Sequence, residues 1–349
     1  MRRLTTRATD AALCSILVLL AYMPATAAFA QGARRLPTRV GAVSLPGTGT
    51  LRPSNTDTFT FIVAGDNRPP KADSAQPPTP GLIFAAAKKA KAAFAIWTGD
   101  MIYGLDSVAR AKIRKQYEVF LAIAKTGGTP VFSAPGNHEM DVKVKVDSTS
   151  GAPRKETGSA AMQALYRASL GLAPGAPVYQ AFTYGNSRFI LLNTEEVSPP
   201  ATPRSRGATV AGGQLNLDPG YVGSAQLTWL AQQLDSSDGA RHVFVFMHHP
   251  IKPKKATMAL DSASAAKLTA LFAKHHNISY VLASHEHLYY NPQTHDESPP
   301  PSRDDPSRDA PYYVVSGGAG APLAEGGFHN YLVVSVKKAH VDVAMVRLP

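Results

Sequence analysis

Five short apolar runs in this chain end in residues that bind metals or move protons. Phe59 to Ala64 stops at Gly65-Asp66, Phe94 to Thr98 at Gly99-Asp100, and Pro130 to Ala134 leads into Gly136-Asn137-His138-Glu139. Further on, His242 to Met247 stops at His248-His249-Pro250, and Ile278 to Ala283 at Ser284-His285-Glu286-His287. Runs of this length, rich in β-branched and aromatic residues and closed by turn formers, read as strands. The stretches Gly81 to Ala92, Ser107 to Lys125 and Ser262 to His275 have the composition and length of helices. Strand and helix in alternation predict an open α/β sheet, in which ligands bind beyond the carboxyl ends of the strands. Polar clusters far apart in sequence would therefore meet in space.

The remaining pattern extends this architecture. Tyr179 to Tyr184 and Arg188 to Asn193 read as a hairpin about Gly185-Asn186, and a helix is expected near Ser224 to Leu234. Three β-like segments follow near the end, Tyr312 to Ser316, Tyr331 to Val336 and His340 to Val346. Asp147 to Glu156, Ser198 to Gly213 and Pro292 to Pro311 read as loops, open either to a role as a substrate-selecting rim or to a reading as tolerated insertions.

Residues 1–30 have the order of a secretory signal: Arg2, Arg3 and Arg7, an apolar run from Ala11 to Ala21, then small residues around Ala28-Phe29-Ala30. The run is shorter than the ~20 residues a spanning helix needs. Cleavage near Gln31 and a periplasmic or secreted protein without a membrane span are expected, by either the general or the twin-arginine route. Residues 31–56 read as an extended leader, and residues 57–349 as one folded domain. Cys14 is the sole cysteine and lies within the signal, which excludes disulfides, thiolate ligands and a cysteine nucleophile from the mature chain. Leaving out the signal's three Arg and one Asp, 33 basic and 24 acidic residues remain, a balance that suits phosphorylated partners. The basic residues are scattered, with no dense run or RNA-type aromatic motif, so no dedicated nucleic-acid surface is expected. No Gly-x-Ser-x-Gly elbow and no Walker-type loop is present.

Asp, Asn and His make a mixed oxygen and nitrogen donor set suited to zinc, manganese or iron and unlike a calcium site. The ordered series Gly-Asp, Gly-Asp-x-x-Tyr, Gly-Asn-His-Glu, Val-x-x-His and His-x-His, from about Phe59 onward, resembles the calcineurin-like metallophosphoesterases. Its second element, Gly99-Asp100-Met101-Ile102-Tyr103, resembles the purple acid phosphatase branch. The resemblance implies a four-layer α/β/β/α sandwich of two mixed β-sheets flanked by helices, and two divalent or mixed-valence metal ions, iron paired with iron, zinc or manganese. Asp66, Asp100 and His287 would hold the first ion and Asn137, His248 and His285 the second, with Asp100 bridging. It further implies hydrolysis of phosphate monoesters, a metal-activated water attacking phosphorus in line.

Other roles follow from the same resemblance. His138 would protonate the leaving oxygen or stabilise the transition state, a role suited to a group titrating near neutrality; the alternative is a core histidine bonded to backbone. Glu139 would orient a neighbour. Adjacent strand residues point to opposite faces, so His248 is taken as the ligand, and His249 as either a substrate contact or a solvated side chain. His285 and His287, at i, i+2 spacing, share a face if their segment is extended. The segment Val315 to Gly320 reads as tight backbone geometry and not as a phosphate loop.

Two departures stand out. Asp66-Asn67-Arg68 occupies a motif that in many members is Asp-x-His, and a guanidinium cannot ligate a metal. The resemblance offers Tyr103 as replacement, a phenolate that would favour ferric iron, against the alternative of a packed aromatic. Arg68, with Asn67 beside it, would contact the substrate phosphate, or Arg68 would pair with Asp73. Ser284 stands where glycine is usual. Two competing functions remain: a phosphodiesterase acting on nucleotides, glycerophosphodiesters or lipid headgroups, and a binding protein whose catalysis has decayed.

Overall fold

A computed structural model describes residues 42–104, 109–140, 142–145, 153–156, 160–196, 208–209, 215–216, 219–304 and 310–349. The expected signal and the first part of the expected leader lie outside the described residues. So do 147–152, 198–207, 210–213 and 305–309 within the expected loops.

The chain first lays down β1 (Thr58–Ala64), α1 (Thr79–Lys89), β2 (Ala95–Trp97), α2 (Arg110–Gly127), β3 (Val131–Ser133) and the short α3 (Asn137–Met140). A hairpin of β4 (Val142–Lys145) and β5 (Pro153–Glu156) precedes α4 (Ala160–Leu170), β6 (Gln180–Tyr184) and β7 (Ser187–Leu191). A second small hairpin, β8 (Ala208–Thr209) and β9 (Leu215–Asn216), leads to α5 (Ser224–Asp235), β10 (His242–Phe246), α6 (Ser262–Phe272) and β11 (Ile278–Ala283). The chain finishes with β12 (Tyr289–Tyr290), β13 (Tyr312–Ser316), β14 (Asn330–Lys337) and β15 (His340–Arg347).

Two mixed sheets result, ordered β15-β14-β1-β2-β3 and β12-β13-β11-β10-β7-β6. In the first, β1, β2 and β3 run parallel; in the second, β7, β10, β11 and β13 do. The period of two along each strand sorts side chains between layers. Phe61 and Val63 of β1 and Phe244 and Phe246 of β10 enter one shared apolar cluster between the sheets, where Phe61 meets Phe244 edge-on at 5.2 Å. Ile62 and Ala64 instead face α1, α2 and α4 through Ile83, Phe84, Phe120 and Tyr166. Val243 and Val245 face α5 and α6 through Leu230, Leu234, Leu268 and Phe272. Strands covered on both faces are apolar at nearly every position, as their sequences are. The four-layer α/β/β/α sandwich expected from the sequence is the fold observed.

Some expected boundaries shift for identifiable reasons. α1 begins at Thr79, ahead of Pro80, because proline is tolerated in a first turn where its missing N–H has no helical partner. α6 starts where expected, with Asp261 accepting from the N–H groups of Ala263 and Ser264 at 3.1 Å. Part of the expected leader is built into the core. Leu45 and Leu51 are buried, Leu45 N donates to Val131 O at 2.7 Å, and Thr48 Oγ1 accepts from Val131 N at 3.1 Å, so this segment covers the outer edge of β3. Asp147 to Glu156, read as a loop, contains β5.

Candidate metal centre

The carboxyl ends of the parallel strands of both sheets point to one place, and the expected ligands sit there on turns, not on strands. Asp66 follows β1 and Asp100 follows β2; their φ angles are 61° and 55°, in the left-handed region that non-glycine residues seldom occupy. His285 and His287, beyond β11, have φ of 73° and 52°. The extended backbone assumed for the His-x-His pair is therefore absent. A tight turn directs the two rings instead, one to each of two donor clusters. Backbone strain of about 1–3 kcal/mol per residue persists where neighbours over-determine the conformation. Here Asp66 N donates to Gly99 O at 3.1 Å, Asn67 N to Asp100 O at 3.1 Å, and His285 N to Asp66 Oδ2 at 2.7 Å.

Glu139 fixes the next layer. Its buried carboxylate accepts from the N–H groups of Gly136 and Asp100 at 2.8 Å and of Met101 at 2.7 Å, tying the turn after β2 to the turn after β3. Gly136 and Gly317 mark the closest approaches to the carboxylates. A Cβ on Gly136 would stand 2.3 Å from Asp100 Oδ1, and one on Gly317 2.2 Å from Asp66 Oδ2. The glycine-rich segment thus closes over Asp66, with Ala321 N donating to Asp66 O at 2.8 Å.

Two groups of donors emerge. Asp66, Asp100 and His287 offer ligand atoms all within 4.8 Å of one another, and so do His248, His249 and His285. Asn137 Oδ1 lies 2.9 Å from His248 Nε2, whose separation from Asp100 Oδ1 is 3.4 Å, so Asp100 stands between the groups.

The hydrogen bonds set the tautomers. A carbonyl can only accept, so His248 Nδ1, 2.8 Å from Thr98 O, carries its proton, as does His287 Nδ1, 2.7 Å from Pro322 O. Both Nε2 lone pairs remain for a cation, the arrangement by which outer partners orient a metal-binding imidazole. His248 Nε2 thereby meets other acceptors, and Asp66 Oδ1 is buried with no hydrogen-bond partner among the described residues. Electron-rich atoms converging in this manner fit bound cations. Burial and the neighbouring Asp100 raise the Asp66 carboxyl well above its ordinary range. Asp100 is also buried, but His138, His248 and Arg68 outweigh that penalty and hold it below the usual carboxylate range. Burial lowers both His248 and His287, the direction that favours the neutral form a ligand needs.

The other sequence-predicted residues fall around this core. His138 Nδ1 donates to Tyr103 O, and its Nε2 is 3.9 Å from Asp100 Oδ2. Tyr103 is half-buried, its ring 5.8 Å from that of His138. Arg68 Nε stands 3.7 Å from Asp100 Oδ2 and has no hydrogen-bond partner among the described residues; the alternative Asp73 pairs with Lys112. Asn67, assigned to substrate from the sequence, is engaged elsewhere. It is buried, donates to Gln76 Oε1 at 2.8 Å and Met101 O at 3.2 Å, and accepts from Trp97 Nε1 at 2.7 Å, so it braces the loop.

His249 also departs from its expected surroundings. It is buried, with Nδ1 2.6 Å from Glu195 Oε1 and its ring centroid 3.8 Å from that of His285. Residues after a strand's end need not keep the strand's alternation, which is why both His248 and His249 reach the centre. Glu195 was missed in the sequence. Its signal was the one used elsewhere: Asn193-Thr194-Glu195 follows the apolar β7 as Asp66 follows β1.

The calcineurin-like phosphoesterase family matches residues 59–289. No curated protein sequence matches the chain at a significant level. Solved structures share the fold. A dimetal phosphatase from Danio rerio is 14% identical with a TM-score of 0.55, over 84% of this chain and 100% of that one. A purple acid phosphatase from yellow lupin (Lupinus luteus) seeds is 15% identical with a TM-score of 0.57, over 85% of this chain and 52% of that one. PhoD is 14% identical with a TM-score of 0.54, over 85% and 70% of the respective chains. With most of its folded length matched and both donor clusters at the carboxyl ends of its strands, the chain belongs to the calcineurin-like phosphoesterases, metal-dependent hydrolases of phosphoesters.

Proposed function

We propose that this enzyme is an exported phosphomonoesterase. The observation that carries the monoester reading is Arg68, whose guanidinium lies beside Asp100 with its buried Nε making no hydrogen bond among the described residues. A monoester presents one more unesterified oxygen, and at neutral pH more negative charge, than a diester. A planar cation with several donors beside the centre favours the former.

Asp66, Asp100 and His287 would hold one cation and Asn137, His248 and His285 the other. Bound there, the two cations supply charge stabilisation and Lewis acidity to the phosphoryl oxygens. The chain's own residues complete the chemistry. Arg68 orients the phosphoryl group. His138, its Nδ1 fixed on the Tyr103 carbonyl, holds a proton at Nε2 for the leaving oxygen. By the resemblance read in the sequence, Tyr103 would add a phenolate to the first cation, which would favour iron there, with iron, zinc or manganese as partner; a visible tyrosinate-to-iron absorption band, lost in Tyr103→Phe, checks it.

Export rests on the character of residues 1–30. Among the described residues no helix is long and apolar enough to cross a membrane. Sequencing the N-terminus of the protein recovered outside the cytoplasm is expected to begin near Gln31.

The test of substrate class is hydrolysis of p-nitrophenyl phosphate against bis(p-nitrophenyl) phosphate by protein loaded with iron, manganese or zinc. A monoester preference is expected, with Arg68→Gln raising the monoester KM about tenfold or more, the cost of losing a charged hydrogen-bonding partner. Diester preference would replace the reading with a phosphodiesterase of nucleotides, glycerophosphodiesters or lipid headgroups. Absence of turnover with every cation would leave a binding protein.

A further inference from the structure

His249 follows His248 in the turn after β10, and its imidazole is fully buried beside the same cluster. One ring nitrogen each of His248, His249 and His285 lies within 4.8 Å of the other two. The His249 ring centroid is 5.3 Å from that of His248 and 3.8 Å from that of His285. The ligand set implied by the sequence uses two of these three imidazoles and gives the third no task. An imidazole carries two polar nitrogens, and burying such a group is costly unless each is engaged.

The turn after β7 holds this ring from one side. His249 Nδ1 is 2.6 Å from Glu195 Oε1, and the same oxygen accepts from Thr194 Oγ1 at 2.8 Å. Thr194 Oγ1 in turn accepts from His249 N at 3.2 Å, which closes a cycle of bonds between the turns after β7 and β10. Gly220 lies against the ring: a Cβ there would stand 2.7 Å from His249 Cγ and 2.8 Å from Nδ1, so glycine alone permits the approach. Tyr221 N donates to Thr194 O at 2.6 Å and Asp261 N to Gly220 O at 2.9 Å, which keeps that backbone in place. An ionised carboxylate only accepts, so Nδ1 carries the proton, and Nε2 is the nitrogen that a cation would take. His248 and His287 show the same division with a backbone carbonyl as outer acceptor. A carboxylate in that place makes the imidazole a stronger donor.

We propose that His249, aimed by the Glu195 carboxylate, is a third imidazole donor to the cation shared by Asn137, His248 and His285. The inference rests on the two-cation reading of the centre and deepens it by naming a class of metal. Imidazole donors suit zinc and iron, whereas carboxylate, carbonyl and water donors suit manganese. A third imidazole biases this site toward zinc or ferrous iron, a bias that the Asp66, Asp100 and His287 site, richer in oxygen donors, lacks. Glu195 is a positioning residue, acting through His249.

The experiment reads the imidazole nitrogens directly, in proton–nitrogen correlation spectra of histidine-labelled wild-type protein before and after loading with zinc. The Nε2 resonances of His248, His249 and His285 are all expected to move to metal-bound positions. If those of His248 and His285 move and that of His249 does not, the inference is overturned and the two-cation reading stands. If none of the three moves, the two-cation reading fails and takes the inference with it. Competitive dialysis of zinc against manganese supplies a second readout. At one of the bound equivalents the preference for zinc is expected to fall about tenfold or more in His249→Phe, which keeps an aromatic ring in place. Glu195→Gln, which retains the imidazole and removes the carboxylate charge, is expected to lose about 10–100-fold in zinc affinity at that site, the range for disturbed outer partners. Zinc binding that is unchanged in both variants overturns the inference.

Discussion

At the scale of single residues, the centre is set by which atoms carry protons. His248, His287 and His138 each spend Nδ1 on a backbone carbonyl, leaving Nε2 facing the site. On the proposed reading the first two would serve as ligands, and His138, outside both donor groups, as a proton carrier. His138→Ala is therefore expected to lower kcat by about 10²–10⁴-fold while metal content stays at the wild-type level. Steady-state kinetics paired with metal analysis checks both halves. Glu139 supplies a pH signature. Burial, reinforced by Asp100, pushes its carboxyl up to about 8 from 4.5, against three backbone hydrogen bonds that pull it down. A carboxyl raised on folding contributes stability below its unfolded value and loses it as pH rises through the folded one. In the metal-free protein, the stability of the wild type relative to Glu139→Gln is accordingly expected to decline between about pH 4.5 and about pH 8, read from denaturant midpoints. A difference that grows with pH would contradict the assignment.

At the scale of elements, the strands that carry the site were legible because each is apolar on both faces and ends abruptly in Asp, Asn or His. The turns were not. Nothing in His285-Glu286-His287 announces left-handed φ at both histidines; that conformation is imposed by contacts distant in sequence, such as the Asp66 carboxylate on His285 N. The same limit explains Asn67 and His249, whose identities suggested solvent or substrate while their hydrogen bonds turn inward. α4 was passed over although Met162, Leu165 and Tyr166 have helical spacing, and the leader's role was hidden because Leu45 and Leu51 stand among Gly, Pro, Ser and Thr. The glycine-rich segment after β13 was legible as geometry, and it gives an element-level test. In Gly317→Ala the new methyl group would displace the Asp66 carboxylate, so cation affinity is expected to drop about 10–100-fold, the range for disturbed outer-sphere support. Equilibrium dialysis of the metal against wild type and variant measures it, and equal affinities would contradict the described approach.

At the scale of the whole molecule, the fold brings together the ends of two sheets that share an aromatic interior. Neither sheet holds both donor clusters by itself. Asp66 and Asp100 come from the β15-to-β3 sheet and His287 from the β12-to-β6 sheet. Asn137 in turn comes from the first, and His248 and His285 from the second. Thr98 O joins them by accepting from His248 Nδ1 and, at 2.8 Å, from Ser284 Oγ across the interface. Metal binding therefore ties the two layers, which is how a site of this kind couples to the stability of the folded state. The central claim, that the chain hydrolyses phosphoesters through two cations held by these two clusters, is tested most directly by stripping the protein with a chelator. Cations are then returned stepwise while bound equivalents and p-nitrophenyl phosphate turnover are recorded together. Turnover that is absent in the stripped protein and reaches its plateau at two bound equivalents is the expected result; turnover without cations, or a plateau at one, would contradict it.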